Sequence, residues 1–383
     1  MNSPRFLKIA FIFALIPFLF SASLTLPASA PFAQQQFAPD LSIILDFSWQ
    51  WYGSREKRIQ AGLPFPGNEG NQDDFRQMSL NYLELAFSSV VDPYFDFFAN
   101  LVLEDGEMEI EEAFIRTRFL PAGLGLKIGR FLSAFGRLNG IHEHQWAFDN
   151  APLAYRLAFA DVLNENGAQL TVVLPFPFFL QIGAEYLLAE NEASFRGGDD
   201  PLNPGNPLLT GFLKTSFDLG DIVVLAGASM AHGPHELFLP GETRQPAKTT
   251  ISGFDLTVKK QIDSYRYLTL TGEYLFRIVR EESPLLDNSH SHGAYLDLLW
   301  RFSRRWRCGL RLEKLAAMNL GQGRIIRPAD VSAMIEFNPT EFSRLRLLYQ
   351  FNRHQLLDEA LLGAHRVMLS LNVAVGAHGA HSF

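Results

Sequence analysis

The chain has 383 residues, 47% of them hydrophobic and 13% aromatic, with a formal charge of −8. That acidic balance leaves no basic footprint for nucleic acid, and the single cysteine, Cys308, excludes an intrachain disulfide and a cysteine-based metal site. A mean hydropathy close to zero suits a soluble domain, but it also suits a membrane wall in which lipid-facing and lumen-facing residues alternate.

Residues 1–30 read as a secretory signal peptide. Arg5 and Lys8 supply the positive region, residues 9–20 the apolar run, and Ala28-Ser29-Ala30 the small-residue cleavage site. The run is too short for a spanning helix, which needs about 20 apolar residues, and it contains Pro17. No cysteine follows it, which argues against a lipoprotein anchor. Residues 31–383 are expected to form one outer-membrane β-barrel. Ala30 and the first strand lie too close together for a plug domain, which disfavours an energy-gated transporter.

Sixteen segments have strand alternation or strand composition: 40–51, 77–90, 94–104, 108–120, 124–133, 167–174, 178–189, 209–217, 222–231, 249–262, 266–280, 293–302, 305–315, 328–337, 342–353 and 362–376. In the first, Ile43, Leu45, Phe47, Trp49 and Trp51 share a face. In the last, Val367, Leu369, Leu371, Val373 and Val375 do the same, and stepping by two carries the register to Phe383. Short turns such as Pro121-Ala122-Gly123 and Asn338-Pro339-Thr340 alternate with long polar connections at 52–76, 134–166, 190–208, 232–248, 281–292 and 316–327. Membrane barrels have short periplasmic turns and longer outer loops. The expected fold is therefore all-β: a transmembrane antiparallel up-and-down barrel of about sixteen strands with periplasmic ends. An open edge in hydrocarbon would leave backbone groups unpaired, so the sheet must close. Sixteen strands leave an aqueous channel unless something fills it.

After the fifth strand the chain reads Lys127-Ile-Gly-Arg-Phe-Leu-Ser-Ala-Phe-Gly-Arg137, and Gly167 and Gln169 open the sixth. Gly129-Arg130-Phe131 with Phe135-Gly136 is similar to the strand-to-loop motif of the phosphate-selective porin family. The alternating final strand with its terminal aromatic likewise resembles the C-terminal signature of outer-membrane barrels, through which Phe383 would engage the barrel-assembly machinery. Those porins line the pore with many Lys and Arg. Here the loop reads Ile141-His-Glu-His-Gln-Trp-Ala-Phe-Asp-Asn150, which looks more like a subgroup labelled zinc-regulated outer-membrane receptors. The resemblance implies a passive channel for small ions or solutes, with outer-membrane lipid as surroundings and a homotrimeric assembly. It also implies a third outer loop, 134–166, folded into the pore. Arg137, Glu143 and Asp149 on that loop, with Arg116, Arg118, Lys127 and Arg130 nearby, are then the constriction candidates; Trp146 and Phe148 read as loop anchors.

Histidines cluster in pairs: His142/His144, His232/His235, His290/His292 and His378/His381. Two histidines one residue apart share a face of an extended chain, and zinc takes three or four protein ligands. Each of the first three pairs, on predicted outer loops, is thus a candidate metal half-site needing a partner such as Glu143, Glu236 or Asp287. Without that completion no cofactor is expected. The alternatives to a porin are a metal-linked uptake channel built on these pairs and a structural or adhesive barrel. An enzyme is not expected, because Ser133 has no nucleophile elbow around it and no base placed by sequence.

Overall fold

The computed structural model describes residues 39–52, 78–191, 193–196, 207–237, 245–281, 289–316, 318–319, 325–357 and 360–376. The predicted signal peptide, the His378/His381 pair, Asp287 and Phe383 lie outside them.

Sixteen antiparallel strands close into one barrel. They are β1 (Asp40–Tyr52), β2 (Met78–Val90), β3 (Phe95–Glu104), β4 (Glu107–Thr117), β5 (Leu124–Leu132), β6 (Asn164–Val173), β7 (Phe179–Leu187) and β8 (Leu208–Leu219). The circuit continues with β9 (Ile222–Leu237), β10 (Gln245–Gln261), β11 (Tyr267–Glu281), β12 (Ser289–Arg301), β13 (Trp306–Leu315), β14 (Ala329–Thr340), β15 (Ser343–Leu357) and β16 (Ala360–Gly376). Each strand pairs with its chain neighbour, and β1 closes on β16 from Ser42↔Gly376 to Tyr52↔Arg366. Among the described residues no helix is long and apolar enough to cross a membrane.

The wall is inside-out relative to a soluble protein. Leu41, Leu45, Trp49 and Trp51 of β1 are exposed, while Ser42, Asp46 and Ser48 are buried. On β16 Leu369, Leu371 and Val375 are exposed, and Ser370 and Asn372 are buried. A period of two sends each alternate residue to the opposite face, so the outer belt is apolar and the lumen polar, as lipid and water require. Aromatic rings mark both rims. Trp49 stacks on Trp51 near the long-loop end, and Trp306 meets Phe337 and Phe178 meets Phe217 near the short-turn end. Such amphipathic belts sit at headgroup level.

Two departures from the sequence expectation bear on the site. The connection after β3 belongs to the long-loop end, yet it is only Asp105-Gly106, both at positive φ (49° and 85°). This is the two-residue hairpin that Asp-Gly favours, because both central positions need the left-handed region. Strands β9 and β12 also extend further toward the long-loop end than their apolar alternation showed. Polar and histidine positions there still make ladder bonds, so composition ended the expected strands before pairing did.

Candidate functional site

The loop between β5 and β6, residues 133–163, enters the lumen. Its path is set at Gly136, where φ is +61° and a Cβ would lie 2.2 Å from the Tyr155 hydroxyl and 2.5 Å from Glu273 Oε2. Only glycine fits both the backbone and the space. From there the loop is tied to the wall by carboxylates. Glu273 of β11 accepts the N–H groups of Arg137 and Leu138, each at 2.9 Å, and the hydroxyls of Tyr155 (2.7 Å) and Tyr295 (2.5 Å). Glu185 of β7 accepts from the Ser133 hydroxyl, the Ala134 N–H and the Gln169 amide. Ser133 is thereby a tether with its hydroxyl committed to a carboxylate.

The loop then forms a short helix, α1 (Leu153–Phe159), whose Leu153 N–H donates to Glu313 of β13 at 2.7 Å. The helix packs Leu153, Tyr155, Leu157 and Phe159 into a buried cluster with Phe131, Phe135, Leu187, Phe195, Ile251 and Leu275. Each fully buried side chain of this size contributes about 1.5–3 kcal/mol, so this half of the lumen is filled by a core. Arg311 of β13 joins Asp297 through two N–H bonds of 2.7 and 2.8 Å. It also donates to the Asn150 carbonyl and lies over the ring of Phe148. Trp146 and Phe148 are buried loop anchors, as their residue types suggested.

Residues 141–149 arch across the remaining lumen. Burial works against the His142 imidazolium, but hydrogen bonds to Glu111 (3.1 Å) and Glu112 (3.0 Å) of β4 outweigh it and hold its pKa well above the usual range. His144 contacts Glu84 of β2 at 2.8 Å, and the two imidazoles stack. On the far side Arg346 of β15 donates to the Trp146 carbonyl at 2.8 Å, and Arg366 of β16 pairs with Asp149.

A cavity of 390 Å³ lies on the long-loop side of the arch, with Asp46, Glu104, Glu143 and Asp149 facing Arg346 and Arg366. A second, of 470 Å³, lies on the short-turn side and is lined by Arg137, Lys259, Arg301, Arg307 and Arg311 among others. Arg344 borders both. A column of guanidiniums thus faces an acidic arc across the gap. The Glu143 carboxyl is raised well above its ordinary range, first by its depth in the barrel, then by Asp161, Glu104, Asp46 and Glu111.

Of the expected constriction residues, Arg137, Glu143 and Asp149 stand at the cavities. The others do not. Arg116 and Arg118 sit at the short-turn mouth, paired with Asp96 at 3.2 and 3.4 Å. Lys127 lies over the Phe131 and Phe114 rings. Arg130 pairs with Glu190 beyond the end of β7; it occupies the face opposite Phe131. The histidine pairs also need correction. His232 and His235 lie three apart in β9 and point to opposite sides of the wall, one exposed and one buried, so they cannot close on one ion. His290 and His292 share the outer face of β12, where they pack against Phe276 and Tyr274 within an aromatic belt. Among the described pairs, only His142 and His144 face carboxylates in the lumen.

Glu84, Glu111, Glu112, Glu273, Arg344, Arg346 and Arg366 escaped the sequence reading. The available signal was a charged residue at an inward register position of an otherwise apolar strand. Glu111 breaks even that rule. The β3–β4 register shifts after Asn100↔Glu112, so that Leu101 opposes Ile110 and Glu111 is the extra residue of a bulge. Bulges re-aim side chains, and here Glu111 and Glu112, adjacent in sequence, both reach His142.

No family model matches the chain. An uncharacterized protein of Aquifex aeolicus (strain VF5) is 38% identical over 387 aligned residues, covering 92% of this chain and 82% of that protein. The two belong to one family. Among solved structures, the family's barrel is similar to a loop-deletion form of OmpT, an outer-membrane protein of Vibrio cholerae. The TM-score is 0.58 at 12% identity, over 89% of this chain and 100% of the other. It is also similar to an anion-selective porin from Comamonas acidovorans (TM-score 0.54, 10% identity, 88% and 99% covered). The outer-membrane channel DcaP of Acinetobacter baumannii matches as well (TM-score 0.55, 10% identity, 88% and 96% covered). At these identities the likeness establishes the fold, a porin-type barrel.

Proposed function

We propose that this protein is an outer-membrane channel through which small ions or solutes diffuse passively, narrowed by the arch of residues 141–149. The observation that carries this reading is the charged gap. The arch leaves a cavity on either side of itself, both bordered by Arg344, with Glu143 and Asp149 facing Arg346 and Arg366. Fixed charges of opposite sign at a narrowing favour a solute that can replace its hydration shell with them. A barrel meant only for adhesion has no need of a loop tethered through its centre by Glu185, Glu273 and Glu313. In this reading residues 1–30 direct export, Phe383 engages the assembly machinery, and no cofactor takes part in passage.

The motif shared in resemblance with phosphate-selective porins has a structural account here. Gly136 turns the loop inward, and Gln169 braces Glu185. These residues place the loop. The short-turn cavity is the basic one, and the acidic arc lies on the other side of the arch. Conductance in planar bilayers tests the proposal. Purified protein should give stepwise ohmic conductance, with the ion preference read from the reversal potential in a salt gradient. A barrel that inserts and stays closed removes it.

A further inference from the structure

At the root of the arch, donors from β2, β4 and the loop converge. A carboxylate oxygen of Glu84, one of Glu111 and a ring nitrogen of His142 all lie within 4.8 Å of one another. His142 is already oriented. Its Nε2 stands 3.0 Å from Glu112, so Nε2–H donates there and Nδ1 turns toward Glu111. A carboxylate behind the imidazole is how metal-bound histidines are usually held. His144 does the same for Glu84, holding Oε2 while Oε1 faces the cluster.

The decisive side chain is Asn100 of β3, which has no exposed surface. Its Nδ2 lies 2.8 Å from Glu84 Oε1, 2.5 Å from Glu111 Oε2 and 3.4 Å from His142 Nδ1. An amide nitrogen has two protons, and the carboxylate oxygens of Glu84 and Glu111 take both. The Oδ1 of the same amide is buried with no hydrogen-bond partner. A buried acceptor without a partner is unfavourable by about 1–3 kcal/mol. The amide nitrogen therefore occupies the focus a cation would take. Turning the amide over would bring Oδ1 to the same focus as a fourth donor.

We propose that Glu84, Glu111 and His142, completed by Asn100 Oδ1, bind one divalent transition-metal ion of the zinc class. The donor set is one nitrogen and three oxygens, enough for a closed tetrahedral site. The imidazole selects against calcium and magnesium, which prefer shells of oxygen alone. Binding draws the donors around the ion and releases any proton on Nδ1 to water. Glu111 also lines a cavity of 170 Å³ that it shares with Glu143 and Asp149, which gives an ion access from the lumen. The bound ion would pin the arch to β2, β3 and β4. This site differs from the histidine pairs read in the sequence, since one histidine binds and the other braces. It also stands whether or not the barrel conducts.

The test is isothermal titration of zinc chloride into tag-free, full-length barrel in detergent. One ion per chain is expected, with Glu111→Gln weakening binding at least tenfold and Glu112→Gln, behind the histidine, by roughly tenfold. His290→Ala/His292→Ala, on the outer belt, should leave binding unchanged. Absence of zinc binding overturns the site, as does binding that survives Glu111→Gln and is lost in the outer-belt variant. Equal displacement by calcium overturns the assignment to the zinc class. Should the variants misfold, anomalous scattering at the zinc edge decides on the unaltered protein. A peak among Glu84, Glu111 and His142 supports the site, and peaks confined to other places refute it.

Discussion

Glu273, in the middle of β11, accepts the backbone N–H of Arg137 at 2.9 Å, fastening the in-folded loop to the opposite wall of the barrel. Its two oxygens also take Leu138 N–H and the hydroxyls of Tyr155 and Tyr295. Glu273→Ala strips all four donors of their acceptor, at about 1–3 kcal/mol for each group left unpaired. The barrel should survive on its ladder while the loop loosens. Larger and noisier single-channel steps are expected, together with protease cleavage within 134–163. Unchanged conductance and resistance to cleavage would show that Glu273 is not a principal anchor. Glu273→Gln, which keeps one carbonyl acceptor, should give a milder form of the same change.

Gly136→Ala meets two obstacles at once, a left-handed backbone and a Cβ 2.2 Å from the Tyr155 hydroxyl. The backbone alone costs about 1–2 kcal/mol, and the overlap adds to it. Thermal unfolding in detergent should shift to lower temperature. Gly140→Ala, where nothing lies within 4 Å of the added Cβ, is the matched control. Equal melting of the two variants would contradict the argument.

Glu143 faces lumen water beside Asp149 and opposite the arginine column. Because the Glu143 carboxyl is held well above its ordinary range, Glu143→Gln removes one negative charge only at alkaline pH, where that carboxyl has ionised, and it removes no anchor. Permeability should then move toward anions, by about 2–3-fold for a single screened charge at such a gap. The shift should shrink in 1 M salt, where the screening length is about 3 Å. A reversal potential that does not move at low salt and alkaline pH would place the narrowing elsewhere.

Arg311 and Asp297 form a buried pair on adjacent strands, and Arg311 also carries the loop through Asn150 and Phe148. Asp297→Ala leaves a buried guanidinium without its partner, a loss of about 3–5 kcal/mol. Replacing both residues should be less harmful than replacing Asp297 alone. Calorimetry of the two variants checks the order, and a worse double variant would refute it.

The wall was legible in the chain because lipid on one side and water on the other impose a period of two, and that period survives in the residue order. Sixteen strands and most of their boundaries follow from it, as do the outward faces of β1 and β16. The inward fold of the third outer loop was an expectation of the porin resemblance, and residues 133–163 do enter the lumen. Strand ends at the long-loop rim were less legible, because His232, His235, His290 and His292 break the apolar alternation while keeping their ladder bonds.

The sequence by itself determined a closed alternating wall. Only the tertiary structure decided which charges face one another. Glu84, Asn100, Glu111 and His142 come from two adjacent hairpin strands, a bulged third and a loop, and Arg344, Arg346 and Arg366 arrive from the far end of the chain. Closure of β16 on β1 is what brings Arg366 across from Asp149, and the bulge at Glu111 is what turns two adjacent carboxylates onto one imidazole. Neither can be read along a single strand, because each depends on register between strands.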